Sequence, residues 1–327
     1  MRRREFLGVL GAAAWPVGAR AQQGVRVRRI GFLMNLDTND PVAKARIAAF
    51  HQGLQKLGWI EGRNLKIEYR VTPGGGEDLR KSAAELVALA PELIVATGTP
   101  SVVAQKRATR NIPIVFVLVS DPVAAGLVDG LARPGGNVTG FTPFEYSTSA
   151  KWLELLKEIA PNVVRAAVME ESDNPGSVGQ VTAIRSAAPA LGMEITSFNG
   201  HVASEIERAI AAFATSPNGG LIVPAIPTAN IHRDLLIRLA AQHRLPAVYG
   251  FRLHVSAGGL ISYGPDQLDQ YQQAARYVDR ILKGEKPGEL PVQTPIKYEL
   301  AINLKTARAL GLNVPLILQQ TADEVIE

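Results

Sequence analysis

Apolar positions along this chain follow two alternating patterns. Short runs that are apolar throughout, such as 93–96 and 114–119, stop abruptly at small polar turns, 97–101 and 120–122. Runs of that kind predict strands buried on both faces of a parallel sheet. Between them lie longer stretches with helical periodicity. Residues 27–34 predict the first strand, and Asp40 before Pro41 predicts a helix start, because Asp caps free N–H groups and Pro suits the first turn. That helix runs to Leu57, with Gly58 as its stop. A strand at 65–70, helix 77–90, strand 93–96, helix 100–110 and strand 114–119 follow at βαβ spacing.

The same unit recurs in the second half. Strand 164–169 leads into a polar loop, Pro175 and a helix ending at Leu191-Gly192, which mirrors Leu57-Gly58; strand 194–198 comes next. Helix 203–213 places Ile206, Ala209, Ile210 and Phe213 on one face, the stripe of a helix that covers a sheet. Further strands are predicted at 221–223, 247–249 and 260–262. One architecture used twice implies an α/β protein of two Rossmann-like lobes. The glycine-rich stretch Gly135-Gly136-Asn137-Val138-Thr139-Gly140 precedes helix 148–160 and marks one junction. Others are predicted at Tyr263-Gly264-Pro265-Asp266, before a helix carrying Leu268, Tyr271, Ala275, Val278 and Leu282, and near Lys286-Pro287-Gly288. The expected division is 25–142 plus 265–287 for lobe one and 143–264 plus 288–327 for lobe two. Several thin crossings make a hinge, since closure concentrates in few connecting residues.

The chain's 327 residues carry a formal charge of +5, but the charge is concentrated at the start. Met1-Arg2-Arg3-Arg4-Glu5-Phe6-Leu7, a Gly/Ala-rich stretch and Ala19-Arg20-Ala21 read as an export signal, with Arg3-Arg4 in the manner of a twin-arginine signal. The stretch is too short and too weakly apolar for a membrane span. Cleavage near Ala21 removes four Arg and one Glu, leaving +2, so neither nucleic acid nor an acidic membrane is implied as a partner. A soluble monomer in the periplasm is expected. Without cysteine there is neither a disulfide framework nor a thiolate metal site. The five His show no ligand spacing, so no metal or other cofactor is expected. A Gly-x-Ser-x-Gly elbow and a phosphate loop are both missing, and no catalytic residue is assigned.

Several stretches resemble one known family. They include Gly58-Trp59-Ile60-Glu61-Gly62-Arg63-Asn64, Ala96-Thr97-Gly98-Thr99, Asp121-Pro122-Val123, Ala132-Arg133-Pro134-Gly135-Gly136-Asn137-Val138-Thr139-Gly140 and Ala257-Gly258-Gly259-Leu260-Ile261-Ser262-Tyr263-Gly264-Pro265. They are similar, in order, to the substrate-binding proteins of ABC transporters with the type I periplasmic binding protein fold, in the branch linked to aromatic amino acids. The resemblance implies a small-molecule ligand between the lobes, an aromatic amino acid or aromatic carboxylate, with a branched-chain amino acid as the alternative. It also implies an ABC permease in the inner membrane as partner. The chain departs from the family's Asn-Pro-x-Asn-Pro loop with Glu170-Glu171-Ser172-Asp173-Asn174-Pro175, which puts two acidic groups near the expected cleft.

Parallel sheets bind ligands outside the carboxyl ends of their strands. Candidate ligand residues are therefore Asn35, Thr97, Gly98, Thr99, Ser120 and Asp121 from lobe one, and Glu170, Asn174, Ala225, Tyr249 and Phe251 from lobe two. Thr99-Pro100 and Asp121-Pro122 read equally as capped helix starts. A capped helix can still direct N–H groups at a carboxylate, and Asp121 can meet an ammonium. Tyr249 or Phe251 can stack on an aromatic ring, although core packing explains Tyr249 as well. A repressor of this fold would need an N-terminal helix-turn-helix where the export signal stands. A sensor subunit for a membrane signalling partner would carry the same residues, and an exported enzyme is the remaining alternative.

Overall fold

The computed structural model describes residues 26–34, 36–72, 76–143, 145–295 and 298–327. The expected signal segment and Asn35 lie outside them. Two sheets organise the chain. The first contains β1 (Arg28–Met34), β2 (Leu65–Val71), β3 (Leu93–Thr97), β4 (Ile114–Val117) and β5 (Val138–Phe141) in the order β2-β1-β3-β4-β5, with every pairing parallel. The second contains β6 (Arg165–Glu170), β7 (Glu194–Asn199), β8 (Gly219–Val223), β9 (Ala247–Tyr249) and β10 (Ile261–Pro265), extended by β11 (Tyr298–Asn303) and β12 (Glu324–Ile326). Its order, β12-β11-β10-β9-β8-β6-β7, repeats the first sheet's winding and adds one antiparallel step at β10–β11. The internal repeat is thus a repeat of sheet topology, with a switch point beside β1 in one lobe and β6 in the other.

The helices are α1 (Pro41–Lys56), α2 (Gly76–Ala88) and α3 (Thr99–Ala108) in the first lobe, then α4 (Ala150–Ile159), α5 (Pro175–Ala187), α6 (Ala203–Phe213), α7 (Pro227–Ile231), α8 (Arg233–Gln242) and α9 (Arg252–Ser256). The remaining helices are α10 (Gln267–Leu282), α11 (Leu304–Ala309) and α12 (Leu316–Thr321). Asp40 caps α1 as expected, accepting from the N–H groups of Val42 and Ala43. On α6, Ile206 and Ile210 are fully buried, with Ala209 and Phe213 packed beside them. Although α10 follows β10 of lobe two, it returns to lobe one, where Tyr271, Ala275 and Val278 share a core with Phe32 and Phe50. Gly53 of α1 makes this possible, because a Cβ there would stand 2.7 Å from the Cβ of Ala275. Among the described residues no helix is long and apolar enough to cross a membrane.

Three differences from the sequence reading have physical causes. Strand β4 ends at Val117, not at 119, because Leu118 has φ 59° and turns the chain out of the sheet. Asp121 starts no helix: its own φ is 43° and only a turn follows. The last crossing comes after Gln293, not near 286–288, since Leu290 and Val292 remain in lobe-one cores and Gln293 pairs with Gly140 and Thr142.

Candidate functional site

The carboxyl ends of the two sheets face each other across a chamber closed down to a cavity of about 20 Å³, room for about one water. Lobe one contributes Thr97, Gly98, Thr99, Leu118 and Ser120. Thr97 closes β3, and its hydroxyl pairs with the Tyr271 hydroxyl at 3.0 Å. Gly98, at φ 78°, is the N-cap residue before α3 and provides no side-chain cap. Thr99 is therefore inside the helix and is not its cap, contrary to the sequence reading. Pro100 has no N–H, so the backbone donors at this end belong to Thr99 and Ser101, and they attract negative charge.

The largest polar group in the chamber wall is one that the strand-end argument missed. Arg46 lies on the buried stripe of α1 with Ala43, Phe50 and Gly53, and is 1 % exposed. Its Nε donates to Gln267 Oε1 at 3.2 Å, as does its Nη2, and the guanidinium sits 5.8 Å from the centre of the Tyr271 ring. Among the described residues it forms no ion pair. Burial pulls its pKa below the usual guanidinium value, against the opposing effects of Tyr271 and Asp40. Arginine nevertheless remains a cation at neutral pH.

Lobe two supplies neutral polar groups. Asn174 caps α5 by accepting from Gly176 N–H at 3.0 Å. Gln180, one turn further along, accepts from Ala225 N–H at 3.2 Å and donates across the cleft to Ser120 Oγ at 3.4 Å. Asn230 of α7 is buried, and its Oδ1 has no hydrogen-bond partner. Ala225, Ile226, Pro227 and Phe251 complete an apolar side. The walls approach closely at Gly176, where a Cβ would stand 2.7 Å from Thr99 Oγ1. Beyond Phe251 the cleft widens past Pro41, Val42 and Leu253. Beyond Pro227 it opens between Arg80 and Arg107 on one side and Asp173 and His201 on the other.

The structure thus brings Thr97, Gly98, Thr99, Ser120, Asn174, Ala225 and Phe251 to one chamber. Asp121 lies outside its lining; its carboxylate accepts from the N–H groups of Ala124 at 3.0 Å and Tyr146 at 3.4 Å. Glu170 ends β6 without reaching the chamber. Glu171 is buried, and both its oxygens are engaged, one by Asn174 Nδ2 at 2.6 Å and the other by Thr228 N–H at 2.9 Å. Glu171 therefore ties α5 to α7 and stays out of the chamber lining, while Asp173 stands at the cleft's outer opening beside His201. Tyr249 is a core residue, stacked on His254 at 4.9 Å. Arg46, Leu118, Gln180 and Asn230 went unnoticed in the sequence. The available signal for Arg46 was a charge on the apolar stripe of an amphipathic helix. Among the described residues no cluster of His, Asp or Glu could hold a metal ion.

Comparison with known proteins agrees with this architecture. Residues 38–326 match the family described as ABC transporter substrate binding protein. A tyrosine-binding protein of Clostridioides difficile (strain R20291) is 30% identical over 266 residues, covering 80% of this chain and 75% of the relative. An ABC domain from Streptococcus pneumonia, solved in complex with L-Trp, is 26% identical and superposes with a TM-score of 0.84, covering 92% of this chain and all of that one. A ligand-free, open substrate-binding protein with adhesive properties from Clostridium difficile is 27% identical over 92% of this chain and 99% of its own, with a TM-score of 0.65. The chain belongs to the ABC transporter substrate-binding protein family and has the type I periplasmic binding protein fold.

Proposed function

We propose that this chain is the periplasmic solute-binding component of an ABC importer, and that it takes a small aromatic carboxylate, of the amino-acid type or close to it, between its two lobes. The observation that carries the reading is Arg46: a guanidinium in the chamber wall, hydrogen-bonded to no carboxylate, is matched by an anionic ligand group. The backbone donors of Thr99 and Ser101 add a second attraction for the same group. Phe251, Leu118 and Ile226 offer apolar surface to a ring. The relatives named for tyrosine and solved with L-Trp point to the same class. Closure is a population shift, in which a ligand stabilises the closed form only through contacts it makes there with both walls. The Gln180–Ser120 bond and the close approach at Gly176 are the wall-to-wall contacts that accompany it. The closed form is then delivered to a permease in the inner membrane.

The test is a thermal-shift screen of the chain without residues 1–21 against aromatic acids, aliphatic acids, amino acids and sugars, followed by calorimetry. An aromatic carboxylate at 100 times its Kd stabilises the folded form by about 2.7 kcal/mol. A chain stabilised only by sugars or nucleosides would sink the ligand class and leave the fold intact.

A further inference from the structure

The chamber holds a buried cation, and its lining contains no carboxylate. Asp40, whose charge acts on Arg46 through space, is held in the α1 cap by the N–H groups of Val42 and Ala43, Glu171 by Asn174 Nδ2 and Thr228 N–H, and Asp121 by the N–H groups of Ala124 and Tyr146. Of the buried polar atoms around the chamber that have no partner, two lie on opposite sides of it and differ in kind. One is a donor, Gln267 Nε2, on the amide whose oxygen already holds Arg46. The other is an acceptor, Asn230 Oδ1, on the opposite wall in a residue 4 % exposed. The pair describes a ligand with an anionic end toward Arg46 and a hydrogen-bond donor toward Asn230.

Charge balance then separates two kinds of donor. A monoanion neutralises Arg46 and leaves the closed chamber without net charge. A zwitterion also neutralises Arg46, but its ammonium is left facing amide and hydroxyl oxygens, among them Asn230 Oδ1, Thr99 Oγ1 and Ser120 Oγ. Such oxygens replace water at best, and a buried charge without a counter-ion is costly. Building on the function proposed above, we infer that the preferred ligand is an aromatic acid without a free ammonium, of the arylpropionate kind, whose donor toward Asn230 is neutral, such as a hydroxyl.

Calorimetry with matched pairs tests this on the unaltered chain: 3-phenylpropionate against L-phenylalanine, and 3-(4-hydroxyphenyl)propionate against L-tyrosine. Each pair differs only in the ammonium. The acid should bind at least about tenfold more tightly in both pairs, the scale expected for one poorly compensated buried charge. Asn230→Asp should narrow or reverse that ratio by supplying the missing anion. Should this variant fail to fold, the two pairs on the unaltered chain still decide. Equal or tighter binding of the amino acids overturns the inference and leaves the proposed function standing. If no member of either pair binds at millimolar concentration, the aromatic-carboxylate reading and the inference fall together.

Discussion

Each lobe buries one charged side chain beside the cleft, and the two are treated differently. Arg46 in lobe one is 1 % exposed and Glu171 in lobe two is 2 % exposed, so both have lost nearly all their water. Either loss costs several kcal/mol unless the charge is compensated. Glu171 is compensated within its own lobe by a side-chain amide and a backbone N–H, one to each oxygen. Arg46 has an amide oxygen, the Tyr271 side chain and the more distant charge of Asp40, but no hydrogen-bonded carboxylate. A buried charge whose hydrogen bonds close inside its lobe is architecture. One left without a hydrogen-bonded carboxylate at a cavity wall is, on the function proposed above, a receptor for opposite charge.

The sharpest way to break that distinction is Arg46→Met. Loss of the cation should weaken an aromatic carboxylate by about three orders of magnitude, or about 4 kcal/mol. The ligand-free melting temperature should hold or rise, because apolar packing replaces an uncompensated ion. Calorimetry and thermal unfolding on one preparation check both halves, and a lowered melting temperature with unchanged affinity would make Arg46 structural.

His254 asks whether a third buried ionisable group follows the same rule. Burial lowers its pKa from 6.5 to about 4, despite the nearby carbonyls of Ala229 and Phe251, so the folded protein holds it neutral at pH 7. The unfolded chain takes up a proton at about pH 6.5 and the folded one does not until about pH 4. Stability should therefore fall as pH drops through that window, by up to about 3 kcal/mol, and level off below it. Urea unfolding of the parent and of His254→Gln between pH 7 and 4 should differ by that slope. Parallel curves would remove His254 from the balance.

Glu171→Gln presents an amide donor to one of two donors, Asn174 Nδ2 or Thr228 N–H, and should cost about 2 kcal/mol of stability. Its effect on ligand affinity should stay within about threefold, or about 0.6 kcal/mol. A larger loss of binding than of stability would place Glu171 among the ligand's contacts. The smallest change is Gly176→Ala. Its Cβ would meet Thr99 Oγ1 at 2.7 Å and hold the walls apart, with about a tenfold loss of affinity, or 1.4 kcal/mol. Small-angle scattering with saturating ligand should show a wider particle than the parent; an unchanged profile would mean the lobes accommodate the methyl.

Much of the fold was legible because burial on both faces leaves runs such as Ile94-Val95-Ala96 and Val115-Phe116-Val117 with no polar interruption. Caps such as Asp40 announced themselves through local chemistry. The site was half legible. Positions following strand ends, including Thr97, Thr99, Ser120 and Asn174, can be counted from the sheet. Arg46 and Gln180 project from helix faces, and only the packing of α1 on α10 and of α5 on its sheet decides that those faces meet the chamber. Thr99 and Asp121 were misread as caps for a backbone reason: left-handed residues, Gly98 and Asp121 itself, set the turns, and a sequence motif for N-caps does not encode φ.

Leu118 carries a consequence for how this binding site can evolve. Its φ of 59° is a conformation that costs a non-glycine residue about 1 kcal/mol or more, and yet its side chain forms part of the wall. Glycine, asparagine and aspartate fit such a backbone, whereas β-branched residues do not. Substitution at 118 can thus empty or polarise the chamber but cannot easily reshape it with valine or isoleucine. Ile226 and Phe251 sit on ordinary extended backbone, at φ −122° and −142°, where nearly any side chain is admissible. A lineage descending from this protein would reshape the chamber through the second lobe, while the wall at Leu118 in the first lobe drifts slowly.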